Sequence, residues 1–383
     1  MNLTIQPGKL SGTVHVIPSK SQAHRYLICA AFSKGTTTLI CPETNRDIEA
    51  TADCLNALGA MISRTSEGYQ IEPISSVPQK AVLNCRESGS TLRFLLPIVG
   101  ALGVDATFQL EGRLPSRPLS PLWEEMQRKG CTLSRPTAST IRCTGKLTGG
   151  SYSIDGGVSS QFITGLYFAL PLLKNDNDLT ITGKLESKPY VRMTLQAMKL
   201  FDYPGSQSPG EITVEGDWSN GAFWLAAKAL GSDLTVMQLD KKSPQGDAKV
   251  TELLPKLQKS TVIDVSDIPD LVPILSVVAS GNHGAVFQNI QRLRLKESDR
   301  VATTIAMIEQ LGGRAEADET TLTVFGSGLT GGTVDACNDH RIAMAAAIAA
   351  TICKEPVTIL GAECVQKSYP RFWAEYTRLG GKI

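Results

Sequence analysis

Histidine is scarce in this chain of 383 residues, with four in all. His15, His24, His283 and His340 lie too far apart in sequence for an H-x-x-x-H helix pair, which removes the commonest imidazole metal motif. Nine cysteines, an odd number scattered from Cys29 to Cys364, contain no C-x-x-C pair. Neither a disulfide framework nor a structural zinc site is therefore expected, and no metal is assigned. Long apolar runs are missing as well. No uninterrupted segment approaches the roughly 20 residues of a membrane span, and the opening MNLTIQPGKLSG lacks the apolar centre of a signal peptide. The expectation is a cytoplasmic protein without a membrane partner. Net charge is nearly absent too, at +1. That disfavours a nucleic-acid partner gripped by a broad basic surface. Any anion site has to be made from a few cations gathered in one place.

What the chain does have is a globular composition, 42% hydrophobic and 20% charged, and a length that suits about two domains of roughly 150 to 200 residues. One punctuation mark recurs, a helical run closed by glycine and followed by a strand-like run. It appears in CLNALGAMIS, EEMQRKGCTLS, LAAKALGSDLTV, MIEQLGGRAEA and YTRLGGKI. Strands alternating with helices through short links indicate an α/β or α+β protein built from repeated units.

The helix starts are unusual. In SKSQAHRYLICAAFSKG, residues 19 to 35, Lys20 and Arg25 stand in the opening turns, where the helix dipole favours acids. Such a helix suits an anion held at its free amides. Hydroxyls, amides and charges gather likewise in ESGSTLRF, VSSQFITG, RLKESDRV and NDHRIAM. A capping role accounts for the Ser, Asn and Asp residues but not for the cations. Read as a helix, RLKESDRV sets Lys296 and Arg300 one turn apart on one face, with Glu297 placed to neutralise Arg300. Lys20, Arg25, Arg93, Arg117, Lys296, Arg300, Arg341 and Lys367 all lie near helix starts or in short loops, which suits substrates rich in phosphate and carboxylate. Asp270 in SDIPDLVPIL reads either as a helix cap or as a proton acceptor. Glu297, between two cations, stays ionised and able to act as a base, and His340 is open to capping, hydrogen bonding or proton transfer.

The segments SKSQAHR, SGSTLR, SRPL, SSQF, SKPY, EGDWSNGAFWL, IPD, RLKESDR, NDHRIAM and KSYP follow one another in the order and approximate spacing of the EPSP synthase family of enolpyruvyl transferases. The chain resembles that family from about Lys9 to Phe372. The resemblance implies an α/β (α+β) fold of two similar globular domains. Each comprises three βαβαββ units in an inverse α/β barrel-like arrangement, with the active site in the interdomain cleft. Residues 1–18 plus 216–383 would form domain 1 and residues 19–215 domain 2. The implied reaction moves the enolpyruvyl group of phosphoenolpyruvate to the 5-hydroxyl of shikimate 3-phosphate through a tetrahedral intermediate, releasing phosphate, with no metal or organic cofactor.

Carried over motif by motif, Lys20, Ser21, Arg25, Ser159, Ser160, Gln161, Ser187, Asp270 and Lys296 resemble the shikimate 3-phosphate contacts. Lys20, Gly89, Arg117, Gln161, Arg300, Arg341 and Lys367 resemble the phosphoenolpyruvate contacts. Asp270, Glu297 and Lys20 match the groups that move protons. The implied partners are these two small molecules alone, with no nucleic acid and no membrane, and the implied state is a monomer. Two other readings are weaker. The sister enzyme acting on UDP-N-acetylglucosamine usually carries Lys-Asn where this chain has Lys20-Ser21, and a loop cysteine where none lies between Arg113 and Arg117. A non-catalytic anion-binding protein on the same scaffold would be expected to have lost Asp270, Glu297 or Lys20. Glu87, Ser90 and Arg292 depart from the residues common in the family.

Overall fold

The computed structural model describes residues 1–174, 176–205 and 207–383. Backbone contacts divide the chain into a terminal unit, Met1–Ile17 with Gly216–Ile383, and a middle unit, Pro18–Glu215.

Among the described residues the middle unit carries six α-helices: α1 (Lys20–Ala31), α2 (Arg46–Ala57), α3 (Gly89–Leu102), α4 (Leu122–Arg128), α5 (Ser160–Ala169) and α6 (Lys188–Leu200). Its clearest repeat runs Lys80–Asn84, α3, Asp105–Gln109, α4, Cys131–Ser134, Thr140–Gly145. The first two strands pair in parallel and the last two join them as an antiparallel hairpin, which is a βαβαββ unit. A second sheet repeats this order with Glu211–Thr213, Thr37–Ile40, Gly68–Glu72 and Met61–Arg64, its first strand supplied from the far end of the unit. A third pairs Gly150–Asp155 in parallel with Asn177–Thr182 across α5. Parallel pairing needs a crossover helix. These crossover helices are accordingly buried nearly all round, and α3 carries apolar residues on every face. Helices α3 and α5 meet closely because position 165 is glycine. A Cβ there would stand 2.2 Å from the Arg93 carbonyl oxygen, so any larger residue drives the two helices apart.

The terminal unit repeats the plan with α7 (Trp218–Ala229), α8 (Val250–Lys256), α9 (Val272–Ser280), α10 (Arg300–Gln310), α11 (His340–Ala349) and α12 (Phe372–Arg378). One sheet has the same four-strand order, Thr261–Asp264, Ala285–Gln288, Thr321–Val324, Ala315–Ala317. In another, Gly332–Asp335 pairs in parallel with Val357–Leu360, and Asn2–Ile5 closes the far edge. The last pairs Ser11–His15 in parallel with Asp233–Met237. Every residue of α11 is buried, and each Ile or Met side chain so removed from water contributes roughly 1.5–3 kcal/mol.

The recurrent glycines end helices as the sequence pattern implies. Gly59, Gly130, Gly231, Gly312 and Gly380 all take positive φ just past a helix, a left-handed turn that favours glycine. None of the sheets closes on itself among the described residues, so the barrel-like part of the expectation is not met by a closed sheet. No helix of the described residues is long and apolar enough to cross a membrane.

Candidate active site

In the middle unit the site is built at helix starts. Lys20 is the first residue of α1, and its Nζ donates to Asp47 Oδ2 at 3.0 Å. Asp47 lies in the first turn of α2, where a negative charge is favourable. Asn45 caps that helix by accepting from the amides of Asp47 and Ile48. Lys20 thus opposes its own dipole while standing beside an acid held by another. Asp47 has no mark in the sequence, because the pairing spans 27 residues and two helices.

Arg25 is 2% exposed. Its Nη1 donates to the Ser21 carbonyl at 2.6 Å, Nε to Thr194 Oγ1 at 2.9 Å and Nη2 to the Tyr190 carbonyl at 2.9 Å, and the guanidinium lies 5.2 Å from the Phe94 ring centre. No carboxylate pairs with it among the described residues. Burial pushes its pKa down to about 10, which still leaves it charged at neutral pH. A buried charge supported only by neutral dipoles is costly, and an anion brought beside it gains accordingly.

The start of α3 is the second element. Ser88 caps it by accepting from the Thr91 amide at 3.2 Å. A Cβ on Gly89 would lie 2.6 Å from Arg93 Nη1 and 2.8 Å from Arg117 Nη1. The missing side chain is what lets two guanidinium groups close over the free amides of this turn. Arg93 Nη1 donates to Gln161 Oε1 at 2.9 Å, and Gln161 Nε2 to Ser90 Oγ at 2.9 Å. Gln161 belongs to the first turn of α5, next to Ser160, and its amide is capped by Ser159 Oγ at 3.3 Å. Ser187, 2% exposed, stands before α6 with φ +53°, and Thr164 of α5 and Thr194 of α6 share a hydrogen bond of 2.9 Å. Arg93 joins this group without having been assigned a ligand contact from the sequence.

In the terminal unit the residues converge on Asp270. It sits in a short 3-10 turn, Pro269–Leu271, ahead of α9 and does not cap that helix. Its Oδ1 accepts from Arg300 Nη1 at 2.7 Å and lies 3.3 Å from Lys296 Nζ, and its Oδ2 accepts from Arg341 Nη2 at 3.0 Å. Burial acts to raise this carboxyl, but Arg341, Lys296 and Arg300 together outweigh it and hold it well below the usual carboxylate range. Arg300 is fully buried. Its Nη2 donates to Glu297 Oε2 at 2.6 Å and its Nε to Asp339 Oδ2 at 3.0 Å. Asp339 also caps α11 through the Arg341 amide, and Lys367 Nζ donates to the Asn338 carbonyl at 2.9 Å.

One expectation is corrected here. RLKESDRV is not a single helix: Lys296 has extended backbone, Asp299 is the cap and α10 begins at Arg300. Lys296 and Arg300 share a carboxylate, not a helix face. The Glu297–Arg300 pair forms as the spacing suggests. A fourth acid in this unit gives no signal in the sequence. Asp247 is buried, accepts a hydrogen bond from Ser219 Oγ, and its carboxyl is pushed up to about 6 by burial and then by the charge of Asp270. Among the described residues no group of three His, Cys, Asp or Glu side chains is arranged to hold a metal ion.

Known proteins resemble this chain along its whole length. The family model for EPSP synthase (3-phosphoshikimate 1-carboxyvinyltransferase) matches residues 5–262 and 251–376. A 3-phosphoshikimate 1-carboxyvinyltransferase of Clostridium kluyveri is 39% identical, covering 100% of this chain and 98% of the relative. One from Clostridioides difficile is 37% identical over 100% and 98%. Among solved structures, an EPSP synthase from Acinetobacter baumannii superposes with a TM-score of 0.80 at 20% identity, over 100% of both chains. The enolpyruvyl transferase NikO from Streptomyces tendae gives 0.74 at 17% identity, covering 100% of this chain and 98% of that one. At those identities the likeness speaks for the fold alone.

Proposed function

The chain belongs to the EPSP synthase family, and from that premise we infer that it transfers the enolpyruvyl group of phosphoenolpyruvate to the 5-hydroxyl of shikimate 3-phosphate, releasing phosphate. The observation that carries this reading to the level of residues is the Asp270 cluster: an acid held ionised by three cations, with a second acid, Glu297, on the same arginine.

In the first step C3 of phosphoenolpyruvate takes a proton while the 5-hydroxyl oxygen bonds to C2 and gives up its own proton. A tetrahedral intermediate with a methyl group results. In the second step a proton leaves that methyl group, the C2–O bond to phosphate breaks and the double bond returns. Asp270 receives the hydroxyl as a hydrogen-bond donor and accepts its proton as the C–O bond forms. A carboxylate held so low is a weak base at rest, so the transfer follows bond formation. Glu297 and Lys20 serve the proton movements at C3 and at the hydroxyl. Lys20, Ser21, Arg25, Ser159, Ser160, Gln161, Ser187 and Lys296 bind shikimate 3-phosphate. Lys20, Gly89, Arg117, Gln161, Arg300, Arg341 and Lys367 bind phosphoenolpyruvate, and preorganised cations of this kind favour the phosphate charge that develops as the group departs. Arg300 already serves three carboxylates, so its contact with phosphoenolpyruvate requires one of them to exchange with the ligand. The reaction needs no cofactor and suits a monomer working in the cytoplasm.

The test is release of phosphate from phosphoenolpyruvate by the purified protein with shikimate 3-phosphate, run beside UDP-N-acetylglucosamine. Release with the shikimate ester alone is expected. Release only with the sugar nucleotide would overturn the assignment.

A further inference from the structure

A chain of buried polar side chains runs through the middle unit without touching any residue assigned above to a ligand. His24 on α1 is completely buried, and its Nδ1 lies 2.7 Å from Thr51 Oγ1 on α2. Thr51 Oγ1 lies 2.7 Å from Thr91 Oγ1 on α3. Thr91 Oγ1 donates to Ser88 Oγ at 2.7 Å and also approaches the Asp47 carbonyl at 3.5 Å. Ser88 Oγ in turn accepts from the Thr91 amide as the cap of α3. Thr51, Thr91 and Ser88 are all fully buried, so none of these groups exchanges its partner for water.

The direction of donation can be worked along the chain. A hydroxyl has one proton to give. Thr91 gives its own to Ser88, so Thr91 receives from Thr51, and Thr51 then has only a lone pair to offer His24. The imidazole must donate from Nδ1. His24 Nε2 is buried without a hydrogen-bond partner, so the ring carries a single proton, on Nδ1. Lys20 and Arg25 lie near the ring, and Phe94 meets it edge-on at 6.3 Å. Burial first, then Lys20 and Arg25, drive the imidazole pKa well below its ordinary value, in keeping with the neutral ring.

We infer that His24 is a positioning residue for the phosphoenolpyruvate end of the site, its Nδ1–H anchoring the Thr51–Thr91–Ser88 hydroxyl chain that fixes the start of α3 against α1 and α2. The far end of the chain is the cap of the turn bearing Gly89, Ser90 and, one turn on, Arg93. Arg25, by contrast, is held by α6 and by its own helix. Loosening the chain therefore acts first on Gly89, assigned to phosphoenolpyruvate alone, while Ser21, Arg25 and Ser187, assigned to shikimate 3-phosphate alone, keep supports outside the chain. The inference rests on the reaction proposed above.

Thr51→Val keeps shape and removes the relay hydroxyl, whereas Thr51→Ser keeps the hydroxyl. With one buried hydrogen bond unmade, Thr51→Val should raise KM for phosphoenolpyruvate about tenfold, with KM for shikimate 3-phosphate within about twofold of the parent, and Thr51→Ser should restore most of the loss. The Thr91→Val and Thr91→Ser pair repeats the test one link further on if Thr51→Val does not fold. Nitrogen-15 NMR of the His24 ring in the full-length parent protein should show a protonated Nδ1 and a bare Nε2, unchanged from about pH 5 to 9. An unaltered phosphoenolpyruvate KM in the folded valine variants, an equal rise in both KM values, no rescue by serine, or a ring that titrates near its ordinary value would each overturn the inference. A parent protein that does not turn over the two substrates would instead sink the proposed function, and the ring spectrum would still report on His24.

Discussion

Replacing Asp339 by asparagine should destabilise the terminal unit far more than a change of one atom suggests. Asp339 is fully buried and serves four donors: Arg300 Nε at 3.0 Å, Arg300 Nη2 at 3.3 Å, Ser298 Oγ at 3.0 Å and the Arg341 amide at 3.0 Å. Asparagine can keep the cap on Arg341 through its amide oxygen, but its NH2 then faces Arg300 and Ser298, both donors. Removing one partner of a buried ion pair costs roughly 3–5 kcal/mol. Arg300 retains Asp270 and Glu297, so the lower end applies, about 3 kcal/mol. Urea unfolding followed by tryptophan fluorescence is the suitable assay, since Trp218, Trp224 and Trp373 lie in the terminal unit and Trp123 alone in the other. Burial would raise the Asp339 carboxyl, yet Arg300 prevails and holds it below its ordinary value. A depressed acid contributes stability that is present above its unfolded value, near 3.9, and lost as pH falls through the folded one. The gap between parent and variant should therefore be widest at neutral pH and narrow below about pH 4. A difference under about 1 kcal/mol at pH 7, or one that widens on acidification, would refute the account of this cluster.

Glu297→Gln and Lys20→Met should each abolish most turnover while leaving the unfolding transition close to the parent's, because both side chains are partly exposed at the site and fill no core space; activity within about threefold of the parent would remove that residue from the chemistry. Asp247→Asn should flatten the pH dependence of stability. An acid whose folded pKa is raised, here to about 6, contributes fully below its unfolded value and loses that contribution as pH rises through the folded one. The thermal midpoint of the parent should therefore fall relative to that of Asp247→Asn between about pH 4 and pH 7.5, and parallel curves would count against the assignment.

The repeat was legible because it is written locally. A glycine after each of five helices needs only the left-handed turn it occupies, and caps such as Ser159, Asp299 and Asp339 act within three residues of themselves. The cations Lys20, Arg25, Arg300 and Arg341 were conspicuous because they stand where a dipole disfavours them. Their partners were not. Asp339 reads as an ordinary capping acid and Asp47 carries no local mark, and only the packing of α1 on α2 and of α10 near α11 turns them toward Lys20 and Arg300. Asp247 gave no local signal whatever, since its burial comes from the fold. RLKESDRV departs from the expected helix for a plain reason: Asp299 is a strong cap and marks where the helix begins, which leaves Lys296 and Glu297 ahead of it.

The claim that this chain works by protonating C3 of phosphoenolpyruvate, adding the 5-hydroxyl and then eliminating phosphate is tested most directly by running the reaction in deuterium oxide and reading the product by proton NMR. Addition delivers a deuteron to C3 and leaves a CH2D group, which on elimination loses either a proton or the deuteron. The account predicts product whose vinyl positions are partly deuterated. Product formed with no deuterium at those positions would mean that the methylene carbon is never protonated, and would contradict it.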